Sequence, residues 1–388
     1  MKRFNFKTLI LFVMAIICAL LCVYMYRHGL IAVLVSVAVS VALIGWVALT
    51  FNYFAGLTIA DNKLVRFTRK LKKELKTAST VYIMGHNYSD LDSVGASYGL
   101  YYALRGQYDV KMVANKQNTL ARPLIDFLRF SDKDCQIFDY SEIKDTVDEN
   151  SLLIVVDTHR PVIMDFKELY DRVDRVIIID HHRKSKDFID ETVAKYMKSS
   201  ASSACEIVSL ILKLMGIGRP STVAATALLS GIMLDTKNFV MNTGTGTFKA
   251  AAFLRQNRAD PVLIKKMFSE SVEVCKQKYD IISGVYLFEN FAIAKTEHQD
   301  QYTRIATAQA ADELLAINGV VASFVMCPSD GKINISARSF GDVDVQKIMA
   351  SLGGGGHKTV AACQIRSDDF KVVEKRLLSA INEYIEDR

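Results

Sequence analysis

The stretch Val176-Ile177-Ile178-Ile179-Asp180-His181-His182 decides how the rest of the chain is read. Four consecutive β-branched residues read as a strand buried on both faces, and such strands belong to parallel sheets. The run ends abruptly in one carboxylate and two imidazoles. Titratable groups are costly to bury unless they are paired or bound to metal. In an open α/β sheet, the carboxyl ends of the strands are where ligands sit. The pattern occurs twice more upstream. Val81-Tyr82-Ile83-Met84 runs into Gly85-His86, followed by Asp90 and Asp92. Leu152-Leu153-Ile154-Val155-Val156 runs into Asp157, with Thr158-His159-Arg160 next. Three strands are therefore expected to deliver His and Asp to one edge of one sheet.

Helical and extended patterns alternate around these strands. Helices are expected over residues 93–104 and 123–130 and near 165–170, and further strands over 109–114 and 135–138. This alternation predicts an α/β fold with a parallel sheet covered on both faces. Apolar helices follow over residues 203–215 and 222–233, with Asp235 just past the second. A further helix is expected over 247–256, and residues 265–287 read as a helical linker. A smaller α/β domain begins near Phe291. Within it, Asp330-Gly331 joins two strands as a hairpin. A helix over 343–352, the loop Gly353-Gly354-Gly355-Gly356-His357, a strand to Ile365 and a last helix over 368–384 complete the chain. The expected division is 1–56, 57–79, 80–262, 263–287 and 288–388.

The chain has 388 residues, half of them hydrophobic. That is too apolar for an ordinary soluble enzyme, and the excess lies at the start. Residues 8–26 and 30–50 are each long enough for the roughly 20 residues that a spanning helix needs. Only Arg27-His28-Gly29 separates them, so a transmembrane helical hairpin is expected. Lys2, Arg3 and Lys7 precede the first stretch, and a basic cluster from Lys63 to Lys76 follows the second. The positive-inside rule then places both termini and the catalytic domains in the cytoplasm, at the cell membrane. A cleaved signal peptide is disfavoured, because a second apolar stretch follows at once.

The net charge is +6, and the basic cluster supplies most of it. It reads as a topology signal with attraction to the lipid bilayer. It lacks the interleaved aromatics of a single-strand stacking platform, so no long nucleic acid is expected as a partner. Seven cysteines are scattered without a Cys-x-x-Cys pair, which fits a reducing compartment and packing roles. Residues 60–77 read as an amphipathic helix with Leu64, Thr68, Leu71 and Leu75 on one face. It is expected to connect membrane and catalytic part, and could pair with its copy in a homodimer.

Seven residues stand out as one constellation: His86, Asp90, Asp92, Asp157, His181, His182 and Asp235. His159 reads as a surface or supporting residue. Carboxylates and imidazoles without thiolate suit Mn²⁺, Fe²⁺ or Mg²⁺ better than structural zinc. Six of these, the four Asp and two of the three His, are too many for one ion and about right for two that share a bridging carboxylate. Two ions roughly 3.5–4 Å apart activate water and stabilise the attacking and leaving oxygens of an in-line displacement, the chemistry of phosphoester hydrolysis. Neither a Gly-x-Ser-x-Gly elbow nor a Walker A loop is present. The four glycines at 353–356 are expected to expose backbone N–H groups as an anion-binding nest. Arg338, two residues after Ser336, reads as a phosphate or base clamp.

These motifs resemble a known family. Gly85-His86-Asn87-Tyr88-Ser89-Asp90-Leu91-Asp92, Val156-Asp157-Thr158-His159-Arg160, Asp180-His181-His182 and Leu234-Asp235-Thr236 look like the four motifs of the DHH phosphoesterases. Gly354-Gly355-Gly356-His357 looks like the signature of their DHHA1 substrate domain. With two apolar stretches in front, the chain resembles the membrane-anchored cyclic-di-AMP phosphodiesterases of the GdpP type. The resemblance implies hydrolysis of cyclic di-AMP, a cyclic dinucleotide, to linear pApA with two Mn²⁺ per chain. It implies that His86 and Asp90 hold one metal, that Asp92, His181 and Asp235 hold the other, and that Asp157 bridges them. It further implies that His182 acts at the scissile phosphate, and that Ser336, Arg338, Gly354, Gly355, Gly356 and His357 grip the nucleotide.

Two departures accompany the resemblance. The GdpP type carries a PAS domain and a degenerate GGDEF domain between membrane and DHH domain, and only residues 57–79 stand there here. Met241-Asn242-Thr243-Gly244 occupies a position where the pattern has Arg before Thr-Gly. The alternatives at this stage are a DHH exonuclease acting on pApA or very short RNAs, a catalytically dead cyclic-dinucleotide receptor, and a DHH pyrophosphatase.

Overall fold

The computed structural model describes residues 61–387, apart from 186, 217 and 218, and isolated positions among the first 60. The expected membrane hairpin lies outside the described residues save for those isolated positions. Among the described residues no helix is long and apolar enough to cross a membrane.

The first sheet contains β1 (Val81–Met84), β2 (Val110–Val113), β3 (Ile137–Phe138), β4 (Leu152–Val156), β5 (Arg175–Asp180) and β6 (Ala194–Met197). Its order is β3-β2-β1-β4-β5-β6, and every pairing is parallel. The strand order reverses beside β1 and β4, the crevice where an α/β sheet of this kind takes its ligand. The expected parallel sheet is thus present. β1 and β4 are buried along their whole length, and Val176 to Ile179 of β5 are buried too, as their continuous apolar runs require.

Helices α1 (Asn62–Leu75), α2 (Leu91–Leu104), α3 (Arg122–Ser131), α4 (Ala204–Met215), α5 (Thr222–Asp235), α6 (Thr245–Gln256) and α7 (Pro261–Met267) belong to this part of the chain. All contribute to one core with Ile83, Ile154 and Ile177. The other sheet face packs Tyr82, Met84, Val155 and Ile178 against single-turn helices at Tyr140–Ile143 and Lys167–Tyr170. Helix α1 buries Leu64, Phe67, Thr68, Leu71 and Leu75 against its own chain. The Lys72 ammonium also donates to the carbonyl of Met215 (2.8 Å). The apolar face of this helix is thus covered by the first sheet's domain.

The second sheet has β7 (Tyr286–Phe288), β8 (Phe291–Lys295), β9 (Ala322–Ser329), β10 (Lys332–Ser339), β11 (Gly355–Gly356) and β12 (Val360–Ile365), in the order β11-β12-β10-β9-β8-β7. Helices α8 (Val272–Ser283), α9 (Thr303–Leu314), α10 (Val345–Ser351) and α11 (Phe370–Glu386) accompany it. Asp330 and Gly331 both have positive φ, 47° and 70°. That is the mirror-image turn an Asp-Gly pair favours, and it sets β9 against β10 in register. Along β10, buried Ile333, Ile335, Ala337 and Ser339 alternate with half-buried Lys332, Asn334, Ser336 and Arg338.

Three local expectations change. The expected linker helix over 265–287 is two helices and an edge strand: α7 ends at Met267, Ser271 caps α8, and β7 already belongs to the second sheet. Ser271 Oγ accepts the N–H of Val274, so a new helix starts where periodicity alone ran on. Helix α5 reaches Asp235 instead of stopping two residues earlier, so this carboxylate sits in a last helical turn. Helix α9 and strands β6 and β7 had no expected counterpart. Their short or mixed patterns acquire structure only by packing on neighbours.

Helices α2 and α5 approach closely because small residues face each other. A Cβ built on Gly231 of α5 would lie 2.6 Å from Asp92 Cα and 2.7 Å from its Oδ1. Gly231→Ala is therefore expected to destabilise the fold by about 1–3 kcal/mol through overpacking, despite the better helix propensity of Ala. A lowered denaturation midpoint in urea at unchanged slope checks this.

Candidate metal centre

Each residue of the constellation reaches the site from the end of an element. His86 follows β1, Asp157 follows β4, and Asp180 closes β5 just ahead of His181 and His182. Asp90 caps α2, its Oδ1 accepting the N–H groups of Asp92 (2.9 Å) and Ser93 (3.1 Å). It therefore fills the helix-capping role that an Asp at such a position commonly takes while also facing His86. Asp92 lies in the first turn of α2 and is wholly buried. Its two oxygens accept the N–H groups of Ala204 (2.6 Å) and Cys205 (2.8 Å) at the start of α4. The free N–H groups and dipole of a helix N-terminus stabilise such an anion.

The side chains converge on Asp157. Its Oδ2 lies 3.3 Å from His86 Nε2, and its Oδ1 lies 3.3 Å from His181 Nε2. His181 Nε2 is also 3.2 Å from Asp235 Oδ2 and 3.8 Å from Asp92 Oδ2. His86 Nε2 is 3.9 Å from Asp90 Oδ1. Two ligand groups result: His86, Asp90 and Asp157 on one side, and Asp92, His181 and Asp235 on the other. A third overlapping group joins Asp157, His181 and His182. All seven residues singled out in the sequence are thus brought together.

The site fits divalent cations. Asp157 Oδ1 is buried with no hydrogen-bond donor among the described residues, a costly arrangement for a carboxylate oxygen. The Nδ1–H of His86 donates to the carbonyl of Asn87 (2.7 Å), which leaves Nε2 to face Asp157. Asp157 itself has φ of 60°, a left-handed conformation that costs a non-glycine residue energy. No thiolate competes: Cys205 is buried beside Asp92, its Sγ–H points to the Asp92 carbonyl, and burial raises its pKa well above the usual thiol range.

Electrostatics describe a cluster short of positive charge. Burial and the charge of Asp157 push Asp92 up to about 7. Burial, then Asp92 and Asp157, push Asp235 up to about 9. Burial alone lowers an imidazole's pKa, but Asp157 outweighs it at His86, which rises to about 9, and at His181, which rises to about 10. Asp157 goes the other way: burial raises it, and the His181 and His86 imidazoles on either side hold it below the usual carboxylate range. Protons here occupy positions that cations would take.

A supporting layer lies behind. Asp180 accepts the Nδ1–H of His182 (2.8 Å), its backbone N–H (3.0 Å), and the Nδ1–H of buried His159. Against burial, His159 and His182 hold this carboxylate well below its ordinary range. The backbone N–H of Ser185 donates to His159 Nε2 (3.1 Å), so Nδ1 carries the His159 proton. His159 is therefore a supporting residue and not a surface one. His182 is half-exposed, with Nδ1 committed and Nε2 free to face a ligand.

The residues expected to grip the nucleotide lie on the second domain. Ser336 and Gly354 line one cavity. Arg338 donates through Nε to Asp312 (3.1 Å), whose carboxylate also receives the Lys237 ammonium from the first domain. The glycine loop departs from the expected N–H nest. The N–H of Gly353 donates to Ala350, that of Gly354 to Met349, and that of His357 to Val360, while Gly355 and Gly356 pair with β12. The glycines serve close packing instead: a Cβ at Gly354 would sit 2.3 Å from the Ala362 carbonyl oxygen. Lys237 and Asp312 were not expected. Lys237 stands two residues after Asp235, and only its position near that carboxylate hinted at it.

In metal-stripped protein, the folded state holds protons on His86, His181, Asp92 and Asp235 more tightly than the unfolded chain does. Folded-state pKa values above the unfolded ones mean that stability falls as pH rises, here from about 4 upward through the raised values. Melting temperatures of chelator-treated protein should drop across this window, and Mn²⁺ or Mg²⁺ should restore most at its upper end. A melting temperature that rises with pH would contradict the assignment.

Comparison with known proteins agrees with this geometry. Residues 80–232 match the DHH family, N-terminal domain, and residues 288–387 match the DHHA1 domain. A cyclic-di-AMP phosphodiesterase GdpP of Geobacillus thermodenitrificans is 39% identical over 347 residues, covering 86% of this chain and 53% of the relative. A cyclic-di-AMP phosphodiesterase PdeA of Listeria monocytogenes is 35% identical over 345 residues, covering 86% of this chain and 52% of the relative. The chain thus spans about half the length of these curated relatives. A crystal structure of an exopolyphosphatase-related protein from Bacteroides fragilis has the same fold, with a TM-score of 0.68 at 22% identity, covering 82% of this chain and 96% of that one. The chain therefore carries a DHH N-terminal domain followed by a DHHA1 domain.

Proposed function

We propose that this chain is a metal-dependent phosphodiesterase that hydrolyses cyclic di-AMP to linear pApA, with two Mn²⁺ per chain. The observation that carries the reading is the buried Asp157 carboxylate, shared between the His86 and His181 sides of the site. The similarity to proteins named as cyclic-di-AMP phosphodiesterases supports the substrate.

Two cations, when bound, would supply Lewis acidity and water activation for a displacement at phosphorus. His86 and Asp90 would hold one and Asp92, His181 and Asp235 the other, with Asp157 between them. His182 presents Nε2 to the leaving oxygen and delivers a proton there, while Asp180 fixes the ring through Nδ1. His159 locks Asp180 in place and acts as a positioning residue. Ser336, Arg338 and the loop from Gly354 to His357 orient the nucleotide. Residues 8–26 and 30–50 anchor the chain in the membrane, with the catalytic domains on the cytoplasmic side.

Full-length protein in detergent with Mn²⁺ should convert cyclic di-AMP to pApA faster than it cleaves cyclic di-GMP or pApA, read by chromatography. Preferential cleavage of pApA to AMP would move the chain to the short-RNA exonucleases. Asp157→Ala should lower turnover on the order of a thousandfold, since cation catalysis contributes several kcal/mol. Unchanged turnover with full metal occupancy would sink the reading. His159→Ala should lower kcat by about 10–100-fold with little change in KM, as loss of an outer hydrogen-bond partner does. His159→Asn, which keeps a donor for Asp180, should recover part of that loss.

A further inference from the structure

Helix α1 packs beside β6, the edge strand of the first sheet, and a cavity of about 600 Å³ opens between them. Lys63, Arg66 and Lys70 of α1 lie three and four residues apart. That spacing makes them one exposed stripe next to the buried Leu64, Phe67 and Leu71. All three line the cavity, and Lys195 of β6 with Lys198 just beyond it line the opposite wall. The floor is aromatic: Phe67 and Tyr196 are buried there, with ring centroids 5.6 Å apart.

Negative charge is scarce around it. Asp61 is the one carboxylate lining the cavity among the described residues. Its Oδ1 caps α1 by accepting the N–H of Lys63 (2.9 Å). Its Oδ2 accepts the Tyr196 hydroxyl (3.1 Å) and lies 3.8 Å from the Lys198 ammonium. Lys195 is paired with Asp190 (3.1 Å). Lys63, Arg66 and Lys70 form no ion pair among the described residues, and the stretch of sequence ahead of Asp61 contains no Asp or Glu that could supply one. Cations gathered in a concavity focus a positive potential, and the complement here is an anion from outside the chain. Position selects that anion. Residues 51–60 alone separate the second apolar stretch from Asp61, a reach of at most about 40 Å when fully extended. A bilayer holding residues 30–50 keeps the cavity within reach of its headgroups, whose anionic species attract Lys and Arg beside a span. The cavity also adjoins the metal centre. Met197 of β6 pairs with Asp180 of β5, and the Lys198 backbone N–H donates to the Asp180 carbonyl (3.0 Å).

We propose that this cavity seats the phosphate headgroup of an anionic lipid from the bilayer that anchors the chain, and so fixes the β6 edge of the first sheet against the membrane. Lys63, Arg66 and Lys70 take the phosphate oxygens from one wall, and Lys195 and Lys198 close the other. The inference rests on the membrane-anchoring reading and extends it from a tether to a built contact of the catalytic domain.

Full-length protein in a neutral detergent, titrated with dihexanoylphosphatidylglycerol and read by thermophoresis, tests it. The anionic lipid should bind, and dihexanoylphosphatidylcholine, which carries no net charge, should bind far more weakly. Arg66→Ala, Lys70→Ala and Lys195→Ala should each weaken binding of the anionic lipid roughly fivefold, the effect of one cation near an anionic membrane surface. Arg66→Lys, which keeps the charge, should recover most of that loss. Lys265→Ala, which removes an exposed cation of α7 outside the cavity, should change little. Unaltered affinity in all three cavity variants overturns the site. So does an equal loss in Lys265→Ala, which reduces the effect to net charge. Inorganic phosphate that binds as tightly as the lipid marks a soluble-anion site and overturns the lipid assignment. A full chain that stays dispersed without detergent sinks the anchoring reading instead, and the titration still reads the cavity on its own.

Discussion

The carboxylate of Asp157 is the interaction on which the rest of the molecule depends. It is buried, held in a left-handed backbone conformation, and contacted by His86 from one side and His181 from the other. A carboxylate in that position is tolerated only because positive charge surrounds it, whether protons on two imidazoles or bound cations. The parallel sheet exists around this point. β1, β4 and β5 are adjacent and wholly apolar up to their ends, so three short loops open at the same edge with their polar residues within a few ångströms of each other.

The helices that cover the sheet do more than exclude water. The start of α4 neutralises Asp92 with two backbone N–H groups, and the last turn of α5 delivers Asp235. Close approach of α2 and α5, made possible by Gly231, brings Asp92 and Asp235 together beside His181 Nε2. Packing and electrostatics are therefore one problem here. The helix interface at Gly231 bears directly on where Asp92 sits.

The second domain contributes a surface instead of a centre. Its one open sheet face carries a row of polar side chains, ending near the first domain in the shared Lys237, Asp312 and Arg338 contact. The glycine loop shapes one wall of that face by close packing, with several of its N–H groups already spent on protein carbonyls.

Much of this was legible in the residues themselves. Continuous apolar runs ending in His and Asp announced buried parallel strands and a site at their carboxyl ends, because only such a strand combines those features. The Asp-Gly turn announced its hairpin for an equally local reason. The extent of α5, the break between α7 and α8, and the existence of α9 and β6 were not legible, since capping and packing against distant elements overrode the local pattern. Sequence by itself determined which titratable residues would converge and on which edge of the sheet. Tertiary structure alone decided that Asp157 would carry an orphan oxygen, that His159 would lock Asp180 from behind, and that Lys237 would meet Asp312 across the domains. Those are contacts between segments far apart in the chain, and no spacing along it encodes the distances at which they meet.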